Sequence, residues 1–250
     1  MFNLIIDIGN TTTKLAVFQG RELCFFERYS NFGKADLEAV WHKFPIQKYS
    51  VSSVKSEIKN VLSFFPQHMQ YCAFHTGLRG NVVSAYNTMD TLGLDRWAKV
   101  VAVNQLYPQR DALIIDMGTC ITFDILEAEG IYRGGSISLG VAMRFKALAH
   151  YTGKLPSIDW DGKSAEFPGN STEDSIRAGV LVGIKQEILG YIAEISAKKP
   201  NLLIFLTGGD ADFLKEQLKN SIFASQLVQD PHLVVKGINE AINFEYVQKL

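Results

Sequence analysis

A short segment that occurs twice constrains this chain more than any other feature. Residues 5–13 are Ile-Ile-Asp-Ile-Gly-Asn-Thr-Thr-Thr, and residues 114–122 are Ile-Ile-Asp-Met-Gly-Thr-Cys-Ile-Thr. The two segments share both isoleucines, the aspartate, the glycine and the last threonine. Self-similarity of this kind is typical of a duplicated structural unit. The sequence therefore predicts two halves of similar design, with a boundary near residue 110.

Short strands are predicted around each copy of this segment. Apolar stretches separated by tight turns are typical of antiparallel hairpins. In the first half these strands are residues 4–8, 14–18 and 22–28, and in the second half they are residues 112–116, 121–126 and 131–137. Each half is therefore expected to open with an antiparallel meander.

Helices are predicted where apolar residues recur at helical spacing. These helices are residues 36–44, 57–65, 95–106, 141–151, 172–197, 211–219 and 237–247, and two further strands are 50–54 and 202–206. Residues 153–171 form a loop that is long enough to be functional. The mixture of helices and strands predicts an α/β fold.

The composition limits the class of protein and of partner. With 47% hydrophobic and 20% charged residues, a chain of 250 residues can bury a sizeable core. A net charge of −1 provides no positive field for nucleic acid or for an anionic membrane. No apolar run approaches the ~20 residues that span a bilayer, and the N-terminus lacks the basic region of a signal peptide. We therefore expect a soluble, cytoplasmic protein that binds neither nucleic acid nor membrane.

The cysteines and histidines do not predict a metal site. Cys24, Cys72 and Cys120 are odd in number and lack metal-ligand spacing, so we expect neither a disulfide framework nor structural zinc. Buried, reduced thiols are the expectation. The five histidines are scattered, and the sequence holds no P-loop, dinucleotide-binding, zinc-protease or nucleophile-elbow motif.

The repeated Asp-x-Gly turns have the chemistry of a phosphate site. Each places a carboxylate, free backbone N–H groups and threonine hydroxyls around one point. Glycine lets the backbone approach phosphate oxygens, and the carboxylate suits Mg²⁺, directly or through water. A single Asp-Gly turn is more often an ordinary hairpin. Repetition at matching places in both halves favours the phosphate site, because a hairpin does not require the repeated aspartate and threonine.

Three other segments are ambiguous from their residues alone. Residues 203–211 run from an apolar strand through Gly-Gly into a helix, which suits either a nucleotide or a plain connection. In residues 93–97, Asp95 is either a helix N-cap or a catalytic carboxylate, Arg96 is either solvated or directed at an anion, and Trp97 is expected in the core. Residues 134–140 are either a closely packed strand end or a wall of a cleft.

In their order along the chain these motifs resemble those of type III pantothenate kinases, and the resemblance covers nearly the whole chain. The matching segments are Asp7–Thr11 with Lys14, Gly93–Trp97, Asp116–Thr119 with Thr122, Gly134-Gly135 with Ile137, Thr207–Ala211 and Asp230–Leu233. The resemblance implies an actin/hexokinase-type fold. Two duplicated ribonuclease-H-like lobes, residues 1–110 and 111–250, would have mixed sheets flanked by helices and a nucleotide cleft between them.

The resemblance also implies an activity and its cofactors. The activity is ATP-dependent phosphorylation of pantothenate at its primary hydroxyl, the first step towards coenzyme A. It implies a homodimer that uses Mg²⁺ and a monovalent cation, K⁺ or NH₄⁺.

The match assigns expected roles to individual residues. The phosphate motifs are Asp7, Gly9, Asn10, Thr11 and Lys14 in the first half, and Asp116, Gly118, Thr119 and Thr122 in the second. The adenosine motif is Thr207, Gly208 and Gly209, and the pantothenate-binding residues are Tyr86, Gly93, Leu94, Asp95, Arg96 and, from a neighbouring subunit, Thr172. Asp95 resembles the general base, Asp116 a ligand of the monovalent cation, and Asp7 a ligand of Mg²⁺, directly or through water.

Two departures and two alternatives accompany the resemblance. The family commonly has proline after the Tyr-Asn pair, where this chain has Thr88. It often has Pro-Gly where this chain has Leu139-Gly140. These positions stiffen loops, so the shape of the substrate pocket is affected more than the chemistry. An actin-like structural or regulatory nucleotide-binding protein, or a sugar kinase, would share the same phosphate turns. The Asp95-Arg96 pair favours a kinase over a filament protein.

Overall fold

Each half of the chain opens with the predicted run of strands. In the computed structural model, residues 1–53 and 58–248 are described, the last four of them as backbone only. The strands are β1 (Phe2–Ile8), β2 (Thr13–Gln19), β3 (Glu22–Tyr29), β4 (Ile46–Ser53), β5 (Gln70–Tyr71), β6 (Val83–Ser84), β7 (Ala112–Met117), β8 (Cys120–Leu126), β9 (Ile131–Leu139), β10 (Leu203–Thr207) and β11 (Leu227–Gln229).

The helices lie close to their predicted positions. They are α1 (Lys34–Lys43), α2 (Ile58–Leu62), α3 (Leu94–Leu106), α4 (Val141–Tyr151), α5 (Thr172–Ser196), α6 (Ala211–Leu218) and α7 (Leu233–Gln248). Short 3₁₀ turns cover Met89–Thr91 and Ala224–Gln226. None of the described residues forms a helix with both the length and the apolar character that a membrane span requires.

The two sheets have the same internal strand order. The first is β3-β2-β1-β4-β5, and the second is β9-β8-β7-β10-β11, with β6 beside β9. In each sheet the strand that carries the acidic turn pairs antiparallel with the next strand of the chain and parallel with a later one. This common order confirms the predicted α/β fold with mixed sheets in duplicate.

The chain forms two compact units, which do not coincide with two continuous segments. The first comprises Met1–Pro108, Gly130–Tyr132 and His232–Leu250, and the second comprises Gln109–Glu129 and Arg133–Pro231. Residues Gly130–Tyr132 join the first unit because the start of β9 pairs with β6. The division into lobes at residue 110 stays a prediction. In the structure, α7 belongs to the first compact unit.

Alternation along the acidic strands puts each aspartate on the face opposite an apolar cluster. In β1, Leu4 and Ile6 pack in a cluster with Leu37 of α1, whereas Asn3 hydrogen-bonds Asn239 of α7. Successive strand residues point to opposite faces, so Asp7, the last residue but one of β1, shares the face of Asn3. In β7 the odd-numbered residues from Leu113 to Met117 face the core of the second unit, and Asp116 faces away from it.

The largest difference from the predicted helices is at α7, which begins four residues before the predicted start at Gly237. Glycine at this position serves packing rather than helix termination. A Cβ on Gly237 would stand 1.8 Å from the carbonyl oxygen of Ala98 in α3. The missing side chain therefore lets α7 and α3 pack backbone against backbone.

Other boundaries move for local reasons. α2 is shorter than predicted because its chain tightens after Leu62 into i→i+3 hydrogen bonds at Phe64 and Phe65. The predicted bounds at Val54 and Glu57 lie outside the described residues. The short strands β5, β6 and β11 were not predicted, since two or three residues carry no periodic signal.

The prediction of buried thiols was wrong. Cys24 is exposed, and Cys72 and Cys120 are half-buried. Cys24 lies in β3, the edge strand of the first sheet, at a position that alternation turns to solvent.

Candidate active site

The first acidic turn joins β1 to β2 and carries a nearly buried carboxylate. Asp7 is 5% exposed, and the strand register places Lys14 opposite it. Lys14 Nζ lies 3.0 Å from Asp7 Oδ2. Asn10 and Thr11 are exposed at the tip of the turn, which is closed by a hydrogen bond of 3.0 Å from the Gly9 N–H to the Thr12 carbonyl. The turn therefore combines one carboxylate, one ammonium group and exposed polar groups.

A cavity of about 380 Å³ opens beside this turn, with Ile8 and Thr13 in its lining. Parallel pairing also brings Ser52 of β4 opposite Asp7. Ser52, which is 3% exposed, was not predicted to lie here, because the register of a parallel strand 45 positions later in the chain has no local signal.

The second acidic turn lies in the second unit and is flanked by two threonines. Asp116 pairs with Thr122 of β8 on one side and with Thr207 of β10 on the other. Directly paired residues have their side chains on one face of the sheet. A carboxylate and two hydroxyl groups from three strands therefore lie side by side, which places the start of the Gly-Gly segment beside the second acidic turn.

Gly208 presses this Gly-Gly segment against the second acidic turn. Its φ of +96° lies in the left-handed region, and a Cβ there would stand 2.5 Å from Asp116 Oδ1. The N–H of Asp210 donates to the Met117 carbonyl at 2.9 Å. Burial raises the pKa of the Asp210 carboxyl. The Gly-Gly segment and the second acidic turn are therefore in direct contact.

The structure corrects the interpretation of Asp95 as an N-cap. α3 begins at Leu94 with Gly93 as its N-cap, so Asp95 is the second helical residue. A Cβ on Gly93 would stand 2.7 Å from Asp95 Oδ1, so this glycine leaves room for the carboxylate. Lys99, one turn later and fully buried, places Nζ 3.6 Å from Asp95 Oδ2. The half-buried carboxylate of Asp95 thus faces a cation at the positive end of a helix dipole.

Arg96 is buried rather than solvated. It is 5% exposed, and its guanidinium carbon lies 5.8 Å from the ring centroid of Tyr86. Trp97 is fully buried as predicted, and its indole N–H donates to the Leu78 carbonyl at 2.9 Å. The structure therefore brings Arg96 and Tyr86 together, although ten positions separate them.

Tyr132 supports this arrangement and was missed by the sequence analysis. Its buried ring lies 5.9 Å, between centroids, from both Tyr86 and Trp97. The Ala85 N–H donates to the Tyr132 carbonyl at 2.9 Å, which fixes the segment before Tyr86 to β9. Position 132 precedes the conspicuous Gly134-Gly135 pair and carries no separate signal in the sequence.

Thr172 is exposed at the first position of α5. The preceding Ser171 caps the helix, since its hydroxyl accepts a hydrogen bond of 3.0 Å from the Asp174 N–H. The hydroxyl of Thr172 is thereby held at a defined, solvent-accessible helix end.

Comparison with known proteins identifies the family. The sequence model of type III pantothenate kinases matches residues 3–194. Type III pantothenate kinases of Bacteroides fragilis and Phocaeicola vulgatus are 43% and 42% identical over 245 residues, which is 97% of this chain and 98% of each relative. This chain belongs to the type III pantothenate kinase family. Members of this family are phosphotransferases, so the chain is an enzyme of that class.

Solved structures of low identity share the fold of this pantothenate kinase family member. A Campylobacter jejuni protein, proposed as a Baf family transcriptional activator, is 23% identical with a TM-score of 0.61, covering 99% of this chain and 100% of that one. A proposed 2-dehydro-3-deoxygalactonokinase of Sinorhizobium meliloti is 12% identical with a TM-score of 0.59, covering 98% and 99%. The activator of 2-hydroxyisocaproyl-CoA dehydratase from Clostridium difficile, solved with bound ADPNP, is 12% identical with a TM-score of 0.54, covering 100% and 97%.

The carboxylates of this family member suit a metal only in combination with other ligands. Among the side chains that the structure describes, no three His, Cys, Asp or Glu residues group closely enough to hold a metal ion. Mg²⁺ commonly binds one or two protein carboxylates together with phosphate oxygens and water. The acidic turns, with one carboxylate each beside hydroxyl groups, fit this pattern of hard oxygen donors.

Proposed function

We propose that this protein transfers the terminal phosphoryl group of ATP to the primary hydroxyl of pantothenate. The product is 4'-phosphopantothenate, and the reaction is the first step of coenzyme A synthesis. The observation that carries the proposal is family membership, with a relative aligned over 97% of the chain and the motifs of the resemblance in the same order in the sequence. The burial of Arg96 beside Tyr86, which a solvated helix end does not require, supports an anionic acceptor at this place.

The nucleotide would bind at the two acidic turns and at residues 207–209. Gly9 and Gly118, whose N–H groups close the turns onto the Thr12 and Cys120 carbonyls, would let the backbone approach phosphate oxygens, with Asn10, Thr11, Thr119 and Thr122 as side-chain donors. Lys14 would offer positive charge to the phosphates. Thr207 and the glycine pair after it would hold the adenosine, since bare backbone admits a flat ring. The ADPNP bound to a protein of the same fold supports a nucleotide in this fold.

Two cations complete the proposal. Asp7, directly or through water, would hold Mg²⁺, which when bound neutralises charge on the transferred phosphoryl group. The Asp116 carboxylate, flanked by two threonines, would hold a monovalent cation, K⁺ or NH₄⁺. Both sites offer hard oxygen donors, which these cations prefer, and Mg²⁺ at Asp7 would share the carboxylate with Lys14.

Asp95 would act as the general base. Its carboxylate accepts the hydroxyl proton of pantothenate while that oxygen forms a bond to the γ-phosphorus and the bond to the β-phosphate bridge breaks, which releases ADP. Arg96 provides fixed positive charge for the acceptor carboxylate or for phosphate. Tyr86, Gly93 and Leu94 would line the acceptor pocket, with Thr172 contributed by the second subunit of a cytoplasmic homodimer.

Pantothenate-dependent release of ADP tests the proposal. Purified protein with ATP, Mg²⁺ and K⁺ should release ADP only when pantothenate is present. Equal release without pantothenate would favour an actin-like ATPase, and release with an aminosugar in place of pantothenate would favour a sugar kinase. Mass spectrometry of the product should find pantothenate heavier by one phosphoryl group.

A further inference from the structure

The glycine-rich segment 134–140 has no role in the proposed function, although it stands out in the sequence. The structure shows close packing along it. A Cβ on Gly135 would stand 1.6 Å from the Phe123 carbonyl oxygen of β8. At the other end, a Cβ on Gly140 would stand 2.3 Å from the carbonyl oxygen of Thr119 and 2.5 Å from that of Gly118. The segment therefore ends in direct backbone contact with the second acidic turn.

Space, not backbone conformation, requires glycine at position 140. Its φ of −69° and ψ of 170° are open to any residue, so alanine would meet no conformational strain there. The obstacle is the turn itself, whose Thr119 carbonyl accepts a hydrogen bond of 3.1 Å from the Gly140 N–H. Any side chain at this position must displace Gly118 and Thr119.

Arg144 holds the two residues that precede Gly140. Its Nε donates to the Leu139 carbonyl at 2.9 Å, and its Nη2 donates to the Ser138 hydroxyl at 2.9 Å. The same guanidinium forms an ion pair with Glu187 of α5. The end of β9 is thus tied to α4 and α5 immediately before it reaches the second acidic turn.

We infer that Gly140 and Arg144 are positioning residues for nucleotide binding: the bare Gly140 sets the location of Gly118 and Thr119, and Arg144 holds Gly140 in place. The inference rests on the proposed function in one respect, namely that this turn binds phosphate. It assigns residues 134–140 to close packing behind the phosphate site rather than to a wall of a cleft. Neither residue contacts the nucleotide in this proposal.

Gly140→Ala tests the inference, and Gly33→Ala is its matched control. Gly33 is also a helix N-cap in extended conformation, but the nearest atom to a Cβ there is 4.0 Å away. Both variants therefore replace a glycine at a helix N-cap by alanine. Only in Gly140→Ala does the added methyl group meet other atoms. ADP affinity by calorimetry should fall by ~10–100-fold in Gly140→Ala, because the loss of one charge-assisted hydrogen bond to phosphate has an effect of this order. It should stay within about two-fold of wild type in Gly33→Ala.

The kinetic constants separate positioning from general damage. In Gly140→Ala, KM for ATP should rise by about the same factor as the Kd for ADP. KM for pantothenate at saturating ATP should change by less than about three-fold. Arg144→Lys keeps the charge but not the forked donors, and we expect it to weaken ADP binding by about five-fold or more. This second variant decides the question if Gly140→Ala does not fold.

The outcomes separate this inference from the proposed function. Wild-type ADP affinity in a folded Gly140→Ala, or in Arg144→Lys when the first variant does not fold, overturns the positioning role alone. If the wild type binds ADP but shows no pantothenate-dependent turnover, the proposed acceptor is overturned. The ADP affinities of the variants then still support or refute the positioning role. Absence of ADP binding by the wild type overturns both.

Discussion

Three local features determine the position of the Asp95 carboxylate: the N-cap Gly93, the first turn of α3 and the buried Lys99. Asp95→Asn keeps the shape and removes the basicity of this group. We expect kcat to fall by about 10²–10⁴-fold, the usual contribution of a general base. Steady-state assays with both substrates, together with circular dichroism, measure this.

Asp90→Asn is the control for this variant. Asp90 lies exposed in a 3₁₀ turn of the same segment. The kcat of Asp90→Asn should remain within about two-fold of the wild-type value, since most surface substitutions have small effects. Near-wild-type turnover by folded Asp95→Asn would remove Asp95 from the mechanism.

Gly208 combines a left-handed backbone with a lack of space. Its φ is +96°, and a Cβ would stand 2.5 Å from both Asp116 Oδ1 and the carbonyl carbon of Met117. Gly208→Ala should therefore destabilise the fold by about 1–3 kcal/mol and weaken ADP binding. Thermal unfolding and calorimetry measure the two effects.

The neighbouring glycine supplies a stability control. A Cβ on Gly209 would meet nothing within 4 Å. Gly209→Ala should change the free energy of unfolding by less than about 0.5 kcal/mol. If the two variants unfold at the same temperature, the tight contact at Gly208 is not what shapes this turn.

Motifs in the sequence pointed to candidate site residues, whereas the contacts around those residues had no local signal. Asp116 and Thr122 were assigned to one motif and Thr207 to another, and strand register places the three side by side. The burial of Arg96 was not predictable, because it depends on a ring ten positions earlier. Tyr132 was missed for the same reason, since only tertiary packing gives it a role.

At the scale of elements, α7 and α3 pack so closely that Gly237 lies against the backbone of Ala98. Gly237→Ala should destabilise the protein by about 1–3 kcal/mol or more, although alanine is the better helix former. Chemical denaturation measures the change. Because α3 carries Asp95, a lower kcat is also expected at temperatures below unfolding.

Gly179 in α5 provides the comparison, because a Cβ there would meet nothing within 4 Å. Gly179→Ala should leave stability unchanged or raise it by up to about 1 kcal/mol through helix propensity. Stabilisation of the same size in Gly237→Ala would contradict the close packing of the two helices.

A buried acidic group on α7 makes the stability of this packing depend on pH. Glu240 is 6% exposed and lies 2.9 Å from Arg21 Nε. Burial raises the pKa of Glu240, and Arg21 offsets only part of the rise. A carboxyl group with a raised folded pKa contributes most stability below its ordinary pKa of 4.5 and loses it as pH rises through the folded value.

Glu240→Gln removes this titration. The free energy of unfolding of the wild type should therefore fall relative to that of the variant as pH rises from about 4 to 7. Urea unfolding at several pH values measures the difference. Glu22→Gln, at an exposed position of β3, controls for a general charge effect. A difference that stays constant or grows in favour of the wild type contradicts the prediction.

Elements of the fold were predictable where periodicity is long. α5 begins at its predicted residue, and β1 and β7 differ from prediction by no more than two residues at either end. The start of α7 was placed too late because Gly237 resembles a helix boundary, whereas its role depends on contact with α3. Propensity describes the chain locally, and tertiary packing overrides it at such positions.

For the whole molecule, the repeated Asp-x-Gly segment was the most informative feature. It predicted two halves of one design, and both sheets have the same strand order. The segment could not predict that the chain returns to the first unit at Gly130–Tyr132 and again at His232. These returns depend on contacts between elements distant in sequence.

The proposed dimer predicts that each active site combines Asp95 of one subunit with Thr172 of the other. Thr172→Glu adds negative charge near an anionic acceptor, and a helix N-terminus tolerates that charge. We expect Thr172→Glu to bind pantothenate poorly and Asp95→Asn to be inactive. In a mixture of the two variants, a hybrid dimer would contain one site with both residues intact.

Refolding or co-expression of the two variants in equal amounts should therefore restore about a quarter of wild-type activity, since half of the dimers are hybrids with one intact site each. Light scattering should give a mass about twice the 27.9 kDa of the chain. Glu173→Gln, exposed at the next position of α5, replaces Thr172→Glu in the control mixture. Glu173→Gln leaves Thr172 intact, so every site with Asp95 should be active in that mixture. We therefore expect the control mixture to have about half of wild-type activity. Failure of the test mixture to exceed the sum of its separate components, in a verified hybrid dimer, would place Thr172 and Asp95 in the same subunit's site.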